Sequence, residues 1–75
     1  MTSLDVVFRY SGSPGERAMR AMDSVREVYG IRRIALDEAQ KTIRVEFDAS
    51  RLSADVVASL LRRAGVALTE RVPLI

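Results

Sequence analysis

Two residue types that carry much of protein chemistry, cysteine and histidine, occur nowhere in this 75-residue chain. Thiolate and imidazole, the ligands that zinc and copper sites use most, are therefore unavailable. The lack of histidine also removes the commonest general acid–base catalyst. No nucleophile beside a base, carboxylate pair in a cleft or cofactor loop is recognisable. We therefore expect a chain that is not an enzyme, has no cofactor and holds no tightly bound soft metal ion.

Two other residue groups could bind cations, and each has a simpler structural explanation. Met19 and Met22 are one helical turn apart and thioethers can bind Cu(I), but methionine also fills gaps in cores, and we expect packing. The acidic pairs are Asp37 with Glu38 and Glu46 with Asp48. Because Ca²⁺ takes about six or more oxygen ligands, a polar turn and a solvated strand face explain these acids better.

Nucleic acids and membranes are also not expected as partners. Residues 11–15 (SGSPG) could cradle an anion with backbone amides, but Glu16 would repel phosphate. Single-stranded RNA needs aromatic side chains on an open strand face, and Thr42, Arg44 and Glu46 supply none. The net charge is only +2, with the basic residues scattered among ten acids. No apolar run approaches the roughly 20 residues that cross a bilayer, and no secretory signal is visible, so we expect a cytoplasmic location.

A first strand and a first helix are predicted from the spacing of apolar residues. Residues 4–10 alternate and contain β-branched and aromatic side chains, which places Leu4, Val6 and Phe8 towards the core. The apolar stripe of the following helix consists of Ala18, Ala21, Met22, Val25, Val28 and Tyr29. Gly30 is expected just after the end of that helix.

The start of this helix has the pattern of a capping box. Ser13 would be the N-cap, Pro14 fits the first helical position, and Glu16 comes three residues after the cap. The Ser13 hydroxyl would then accept from the Glu16 amide, while the Glu16 carboxylate would reach back to the amide of Ser13.

Two strands, a second helix and a last strand follow. Residues 31–36 form the second strand, and residues 42–47 form the third, with Ile43, Val45 and Phe47 facing inward. Ser53 is expected to cap the second helix, and Gly65 to end it. The buried stripe of that helix is Val57, Leu60, Leu61 and Ala64. Residues 66–72 form the last strand.

This element order predicts the fold. Strand–helix–strand–strand–helix–strand is the order of the ferredoxin-like βαββαβ sandwich of the α+β class. Its four-stranded antiparallel sheet would carry both helices on one face. The length suits a single domain over residues 1–75.

Three stretches resemble heavy-metal-associated domains. Residues 29–37 (YGIRRIALD) are similar to the G-V-x-x-V-x-V-D stretch of that family. Residues 41–48 (KTIRVEFD) resemble its V-x-V-x-F/Y-D third strand, and residues 54–65 (ADVVASLLRRAG) resemble its second helix. The joint spacing covers most of the chain. The resemblance implies the same ferredoxin-like fold.

The same resemblance implies a metal loop that has lost its ligands. The family binds soft metals through G-M-x-C-x-x-C after the first strand, and its two cysteines correspond to Pro14 and Arg17. The family's loop lysine or tyrosine after the second helix corresponds to Val66. The degenerate metal-loop positions are Gly12, Ser13, Pro14, Gly15, Glu16 and Arg17. We hypothesise that the capping box replaces the metal in organising this loop.

The expected function is that of a protein-interaction or regulatory module, with a protein partner or a second copy as its ligand. The expected surfaces are residues 12–17, one edge strand and the open sheet face of Val7, Arg9, Arg44 and Glu46. A second interpretation is a component of a heavy-metal transport or detoxification system, of the copper type. A third is a small-ligand regulatory domain of similar topology, for which only residues 11–15 resemble a binding loop.

Overall fold

The computed structural model describes residues 2–73; the first residue and the last two of the predicted domain lie outside this range. Its elements are β1 (Ser3–Tyr10), α1 (Glu16–Arg26), β2 (Ile31–Asp37), β3 (Thr42–Asp48), α2 (Ala54–Arg63) and β4 (Leu68–Val72). The predicted βαββαβ order is confirmed. The last strand starts at Leu68 instead of at Val66, whose side chain is nevertheless buried.

The four strands form one antiparallel sheet in the order β2-β3-β1-β4. β1 and β3 are central and pair along almost their whole length, with Val6 opposite Val45 and Phe8 opposite Ile43. β2 and β4 are the edges of the sheet. Because side chains alternate across a strand, this register gathers the apolar residues of both central strands on one face.

Both helices cover that face. Val6, Phe8, Ile43 and Val45 of the central strands share one buried cluster with side chains of α1 and α2. The helical members of this cluster are Met22, Val25, Val57, Ala58, Leu61 and Ala64. The predicted inward residues of β3, Ile43, Val45 and Phe47, are at most 3% exposed. The ferredoxin-like sandwich is therefore confirmed.

Two residues predicted to be buried are exposed. Leu4 is 50% exposed, because it lies near the start of β1, outside the buried cluster that begins at Val6. Tyr29 is 69% exposed because α1 ends at Arg26, so Tyr29 is not on the helical stripe. Gly30 follows in a left-handed conformation (φ +105°), and a Cβ atom there would lie 3.0 Å from Leu52. Glycine is required at this position both by the backbone angle and by the close approach.

The predicted capping box is wrong. α1 begins at Glu16, its N-cap is Gly15, and no side chain bonds the free amides of the first turn. The Glu16 carboxylate instead accepts from Arg20 at 3.0 Å. The chain must pass from the sheet to the helix layer within residues 11–15. Extended backbone advances about 3.3 Å per residue against about 1.5 Å in a helix, and the chain is still extended at Gly15 (φ −73°, ψ 175°), directly before the helix.

α2 has the termini that its sequence predicts. The Ser53 hydroxyl accepts from the amide of Val56 at 3.3 Å, and Asp55 lies in the first turn. At the other end, the Val66 amide bonds the carbonyl of Leu61, and the Gly65 amide bonds that of Arg62. These are the two bonds of a Schellman motif, with Gly65 at φ +99°.

The β3–α2 connection depends on Asp48, which the sequence placed on a solvated strand face. Its side chain is instead only 6% exposed. Its Oδ1 accepts from the Ser50 hydroxyl at 2.7 Å and from the Ser50 amide at 3.0 Å. These bonds, aided by the nearby Arg51 and Arg32 guanidinium groups, lower the pKa of the Asp48 carboxyl below its usual value. The carboxylate fixes the turn that leads into α2.

A matched pair of serine substitutions tests the two helix starts. Ser53→Ala removes a cap bond and should lower the free energy of unfolding by about 1 kcal/mol, or the Tm by roughly 4–8 °C. Ser13→Ala removes no cap bond and should shift Tm by under about 2 °C. Thermal unfolding followed by circular dichroism measures both. A Ser13→Ala loss equal to that of Ser53→Ala would restore the capping box.

Candidate functional site

The β1–α1 loop, residues 11–15, and the first turn of α1 contain all the positions that the resemblance assigns to a degenerate metal loop. The loop is tied to the sheet at its start, where the Tyr10 amide bonds the carbonyl of Lys41 and the Ser11 amide bonds that of Ala67, both at 3.0 Å. Pro14 is half-buried, and Arg17, the second residue of α1, is exposed. Three connections meet at this end of the sheet: this loop, the β2–β3 turn and the α2–β4 connection.

A lysine ammonium lies on this loop. Lys41, in the β2–β3 turn, donates from Nζ to the carbonyl oxygen of Gly12 at 2.6 Å. The same ammonium is 5.8 Å from the centre of the Tyr10 ring, within the range of a cation–π interaction. The backbone of Lys41 is left-handed (φ 56°) and so departs from the extended conformation of the strands on either side of the turn. We call the contact set of Lys41, Gly12 and Tyr10 the lysine clamp.

Tyr10 is the buried part of the clamp. It is 4% exposed, and its hydroxyl has no hydrogen-bond partner among the described residues. Burial, together with the nearby carboxylates of Glu38 and Asp37, raises the pKa of the Tyr10 phenol. The hydroxyl therefore stays neutral at physiological pH, and the ring supplies the ammonium with a flat aromatic face.

The donor set of the loop does not fit a soft metal ion. The positions that the resemblance assigns to the two family cysteines hold a proline, which has no side-chain donor atom, and an arginine, whose guanidinium is cationic and cannot coordinate. Within residues 2–73, no group of three or more histidine, cysteine, aspartate or glutamate side chains is arranged to hold a metal. Met22 is buried in the core at 1% exposure, whereas Met19 is 40% exposed.

The open sheet face is where the sequence placed it. Val7 and Glu46 are half-buried and Arg9 and Arg44 are exposed, and Val7 lies opposite Arg44 across the central strand pair. The arginines are in ion pairs: Arg44 with Asp5 at 2.6 Å and Arg9 with Glu70 at 2.9 Å. The aromatic rings of the sheet, Phe8, Tyr10 and Phe47, are all buried on the other side. The face presents paired charges around a small apolar centre.

A second cleft lies at the opposite end of the sheet, between the α1–β2 and β3–α2 connections. The Arg51 guanidinium stacks on the exposed Tyr29 ring at 4.1 Å, and Asp48 and Ser50 line the floor. Two cations, Arg32 and Arg51, and one anion, Asp48, line this cleft. Sequence spacing gives no signal for this pair, because the two residues are 22 positions apart and meet only through the fold.

Sequence reasoning also missed the lysine clamp. Lys41 is the only lysine of the chain, and that rarity was the one available signal. The resemblance pointed to Val66 as the position of a loop lysine or tyrosine, but the lysine reaches the loop from the β2–β3 turn instead. Only the antiparallel pairing of β1 with β3 brings this turn beside Gly12.

Two substitutions at Lys41 separate the clamp from the backbone strain. Lys41→Met keeps the stem and removes the ammonium, which should lower the free energy of unfolding by about 1 kcal/mol. Lys41→Gly also loses the ammonium, but glycine adopts the left-handed conformation without the cost of roughly 1 kcal/mol that another residue incurs. Lys41→Gly should therefore be the more stable of the two variants. Urea unfolding measures both. If Lys41→Met unfolds as the wild type does, the clamp does not stabilise the protein.

Comparisons with known proteins support the fold. No protein-family model and no curated protein sequence matches the chain. Among solved structures, oxidized MerP from Ralstonia metallidurans CH34 is similar with a TM-score of 0.73 at 14% identity, covering 92% of this chain and 97% of that one. Apo-CopP from Helicobacter pylori is similar with a TM-score of 0.73 at 22% identity, covering 88% of this chain and 100% of that one.

The N-terminal domain of ZntA in its apo-form is similar as well, with a TM-score of 0.68 at 21% identity over 92% of this chain and 93% of that one. All three neighbours are heavy-metal-associated domains. Neither helix of the described residues is long and apolar enough to cross a membrane. The chain thus has the ferredoxin-like fold of heavy-metal-associated domains, on a sequence that contains no cysteine.

Proposed function

We propose that this chain is a non-catalytic protein-interaction module, built on the heavy-metal-associated fold, that carries no soft metal ion. The observation that carries the proposal is the lysine clamp. At the loop where the resembled family holds a metal cation, the Lys41 ammonium donates to the Gly12 carbonyl at 2.6 Å. A resident ammonium and the cationic Arg17 both oppose the binding of a second cation by electrostatic repulsion.

The open sheet face is the proposed binding surface. Val7 and its cross-strand neighbour Val72 form a small apolar centre, and Arg9 and Arg44 flank it. Arginine beside apolar surface is a composition that protein interfaces favour. Because both arginines already form intramolecular ion pairs, they are held in position, and a partner that binds here loses less side-chain entropy.

The likeness to MerP, CopP and the ZntA domain favours one specific setting for this role. A domain of this fold within a heavy-metal transport or detoxification system could contact a cysteine-bearing partner without carrying metal itself. Neighbouring genes for a metal-transporting ATPase or a metal-responsive repressor would support this setting. Neighbours of unrelated function would argue against it.

A metal-retention assay tests the loss of the site. The wild-type chain, incubated with Cu(I) and then with a competing chelator, should retain no ion. Pro14→Cys/Arg17→Cys restores two thiolates at the family positions and should retain about one ion per chain. Arg20→Cys/Asp23→Cys places the same spacing on an exposed part of α1 and serves as the matched control.

The result for the wild type decides the proposal. One ion retained per wild-type chain would overturn the claim that the site is lost. Failure of the Pro14→Cys/Arg17→Cys variant, or equal retention by the control variant, would show that residues 12–17 do not correspond to the family's metal loop.

Capture of partners tests the surface. Immobilised wild-type chain should enrich a defined protein from its source cells, and Arg44→Glu should lower that enrichment at least about tenfold, since it reverses the charge beside the apolar centre of the open face. Arg20→Glu is the matched control, because Arg20 is also an exposed arginine in an ion pair, with Glu16 on α1. Equal enrichment by wild type and Arg44→Glu would exclude the open face.

A further inference from the structure

The exposed edge of β2 carries a charge pattern that is complementary to itself. β2 pairs with β3 on one side, and no other strand within residues 2–73 pairs with its second side. Its pairing with β3 is irregular between Ile31 and Arg33, so the regular part of the strand runs from Arg33 to Asp37. This five-residue segment begins with a cation, ends with an anion and has Ala35 at its centre.

We propose that a second copy of this chain pairs with β2 in antiparallel orientation, with Ala35 on the two-fold axis. In this register Ala35 faces Ala35 of the second copy, and Arg33 of each copy faces Asp37 of the other. Ile34 faces Leu36 in the same way. Antiparallel neighbours directly opposite each other lie about 4.5–5.5 Å apart at Cβ, close enough for arginine to pair with aspartate.

The faces of the sheet match in this arrangement. Facing residues differ by an even number of positions, so each pair lies on one side of the joined sheet. Arg33, Ala35 and Asp37 are on the open face of β2, where they lie opposite Glu46, Arg44 and Thr42 of β3. Ile34 and Leu36 are on the helix face. The two four-stranded sheets would become one eight-stranded sheet with all helices on one side.

Apolar surface beside β2 would be covered by this pairing. Leu36 is half-buried, and with Met19 of α1 it lines a groove that also includes Ala35 and Asp37 of this strand. Met19 is 40% exposed. A second copy would place its own Ile34 and Leu36 next to these side chains. Burial of this apolar area adds a hydrophobic contribution to the backbone hydrogen bonds of the joined strands.

The other edge of the sheet lacks these features. β4 has five residues, and Pro73 follows it directly. Short strands and proline are the usual protection of an edge against pairing. Glu70, in the middle of β4, is already paired with Arg9 of its own sheet. β2 has seven residues with no proline and no lysine, and among the described residues Arg33 forms no ion pair.

The inference rests on the proposed interaction function and names one partner of it. The interface is small, since it consists of one strand from each copy, so we expect a weak and reversible dimer. Two ion pairs at its ends are exposed, and salt should weaken them. Arg32 and Glu38 continue the charge pattern beyond the two ends of the segment. Arg32, however, interacts electrostatically with Asp48 of its own chain. Arg33 and Asp37 therefore set the register.

Sedimentation velocity with charge-reversed chains tests the register. The dissociation constant of the wild-type dimer should lie between about 10 µM and 1 mM, the range expected of a small interface. Arg33→Asp and Asp37→Arg each put like charges at both ends of the interface, and each should raise the dimer dissociation constant at least about tenfold. An equimolar mixture of the two variants restores both opposite-charge pairs and should recover the wild-type constant.

The controls separate β2 from β4 and from misfolding. Arg71→Asp reverses an exposed charge on β4 and should leave the dissociation constant unchanged. The Asp37 carboxylate also accepts a hydrogen bond from the Gln40 amide at 3.1 Å. If substitution of Asp37 prevents folding, NMR spectra of the wild type recorded on dilution test the interface instead. On dilution, amide shifts should then change along residues 33–37 and not along β4.

Three outcomes would overturn the inference: a wild-type monomer at every concentration, a mixture no tighter than the single variants, or a dimer abolished by Arg71→Asp. These outcomes are distinct from failure of the proposed function. A monomeric chain that still enriches a partner through Arg44 refutes the β2 dimer alone. If the chain forms a charge-dependent dimer but enriches no other protein, the β2 dimer is supported and the open face is excluded as a partner-binding surface.

Discussion

The pairing of β1 with β3 is the interaction on which the other features of this molecule depend. These two central strands face each other from Ser3 opposite Asp48 to Arg9 opposite Thr42. Their core side chains, Val6, Phe8, Ile43, Val45 and Phe47, are at most 5% exposed. A shift of this register by one residue would turn the apolar side chains out of the core. The same pairing leaves β2 and β4 as the edges, and it brings the β2–β3 turn beside the β1–α1 loop.

The consequence at that loop is that an ammonium group from a distant turn lies on it. The resembled family closes this end of the fold around a metal ion and two thiolates. Here the ammonium of Lys41 bonds the loop carbonyl of Gly12 and rests on the ring of Tyr10. An ammonium supplied by the chain itself requires no metal and no reduced thiol. In the proposed function, this fixed positive charge opposes an incoming cation by electrostatic repulsion.

Much of the fold could be predicted from the sequence because local and long-range preferences agree. The alternation of Ile43, Val45 and Phe47 defined β3, and Ser53 and Gly65 defined the ends of α2, since each of these signals acts within a few residues. The predictions failed where the fold overrides a local preference. Ser13, Pro14 and Glu16 have the pattern of a capping box, yet the helix begins only at Glu16, after the still extended Gly15. Tyr29 has helical spacing, yet α1 ends before it.

By itself, the sequence determined what chemistry is available: without cysteine or histidine, no arrangement of this chain can supply a thiolate or an imidazole. It also determined the order of strands and helices, because periodicity and turn residues are local properties. Only the tertiary structure decided which distant residues meet. The contacts of Lys41 with Gly12 and of Arg51 with Tyr29 depend on strand pairing, and so does the exposure of the β2 edge. Contacts of this kind arise from the packing of whole elements, and no spacing along the chain encodes them.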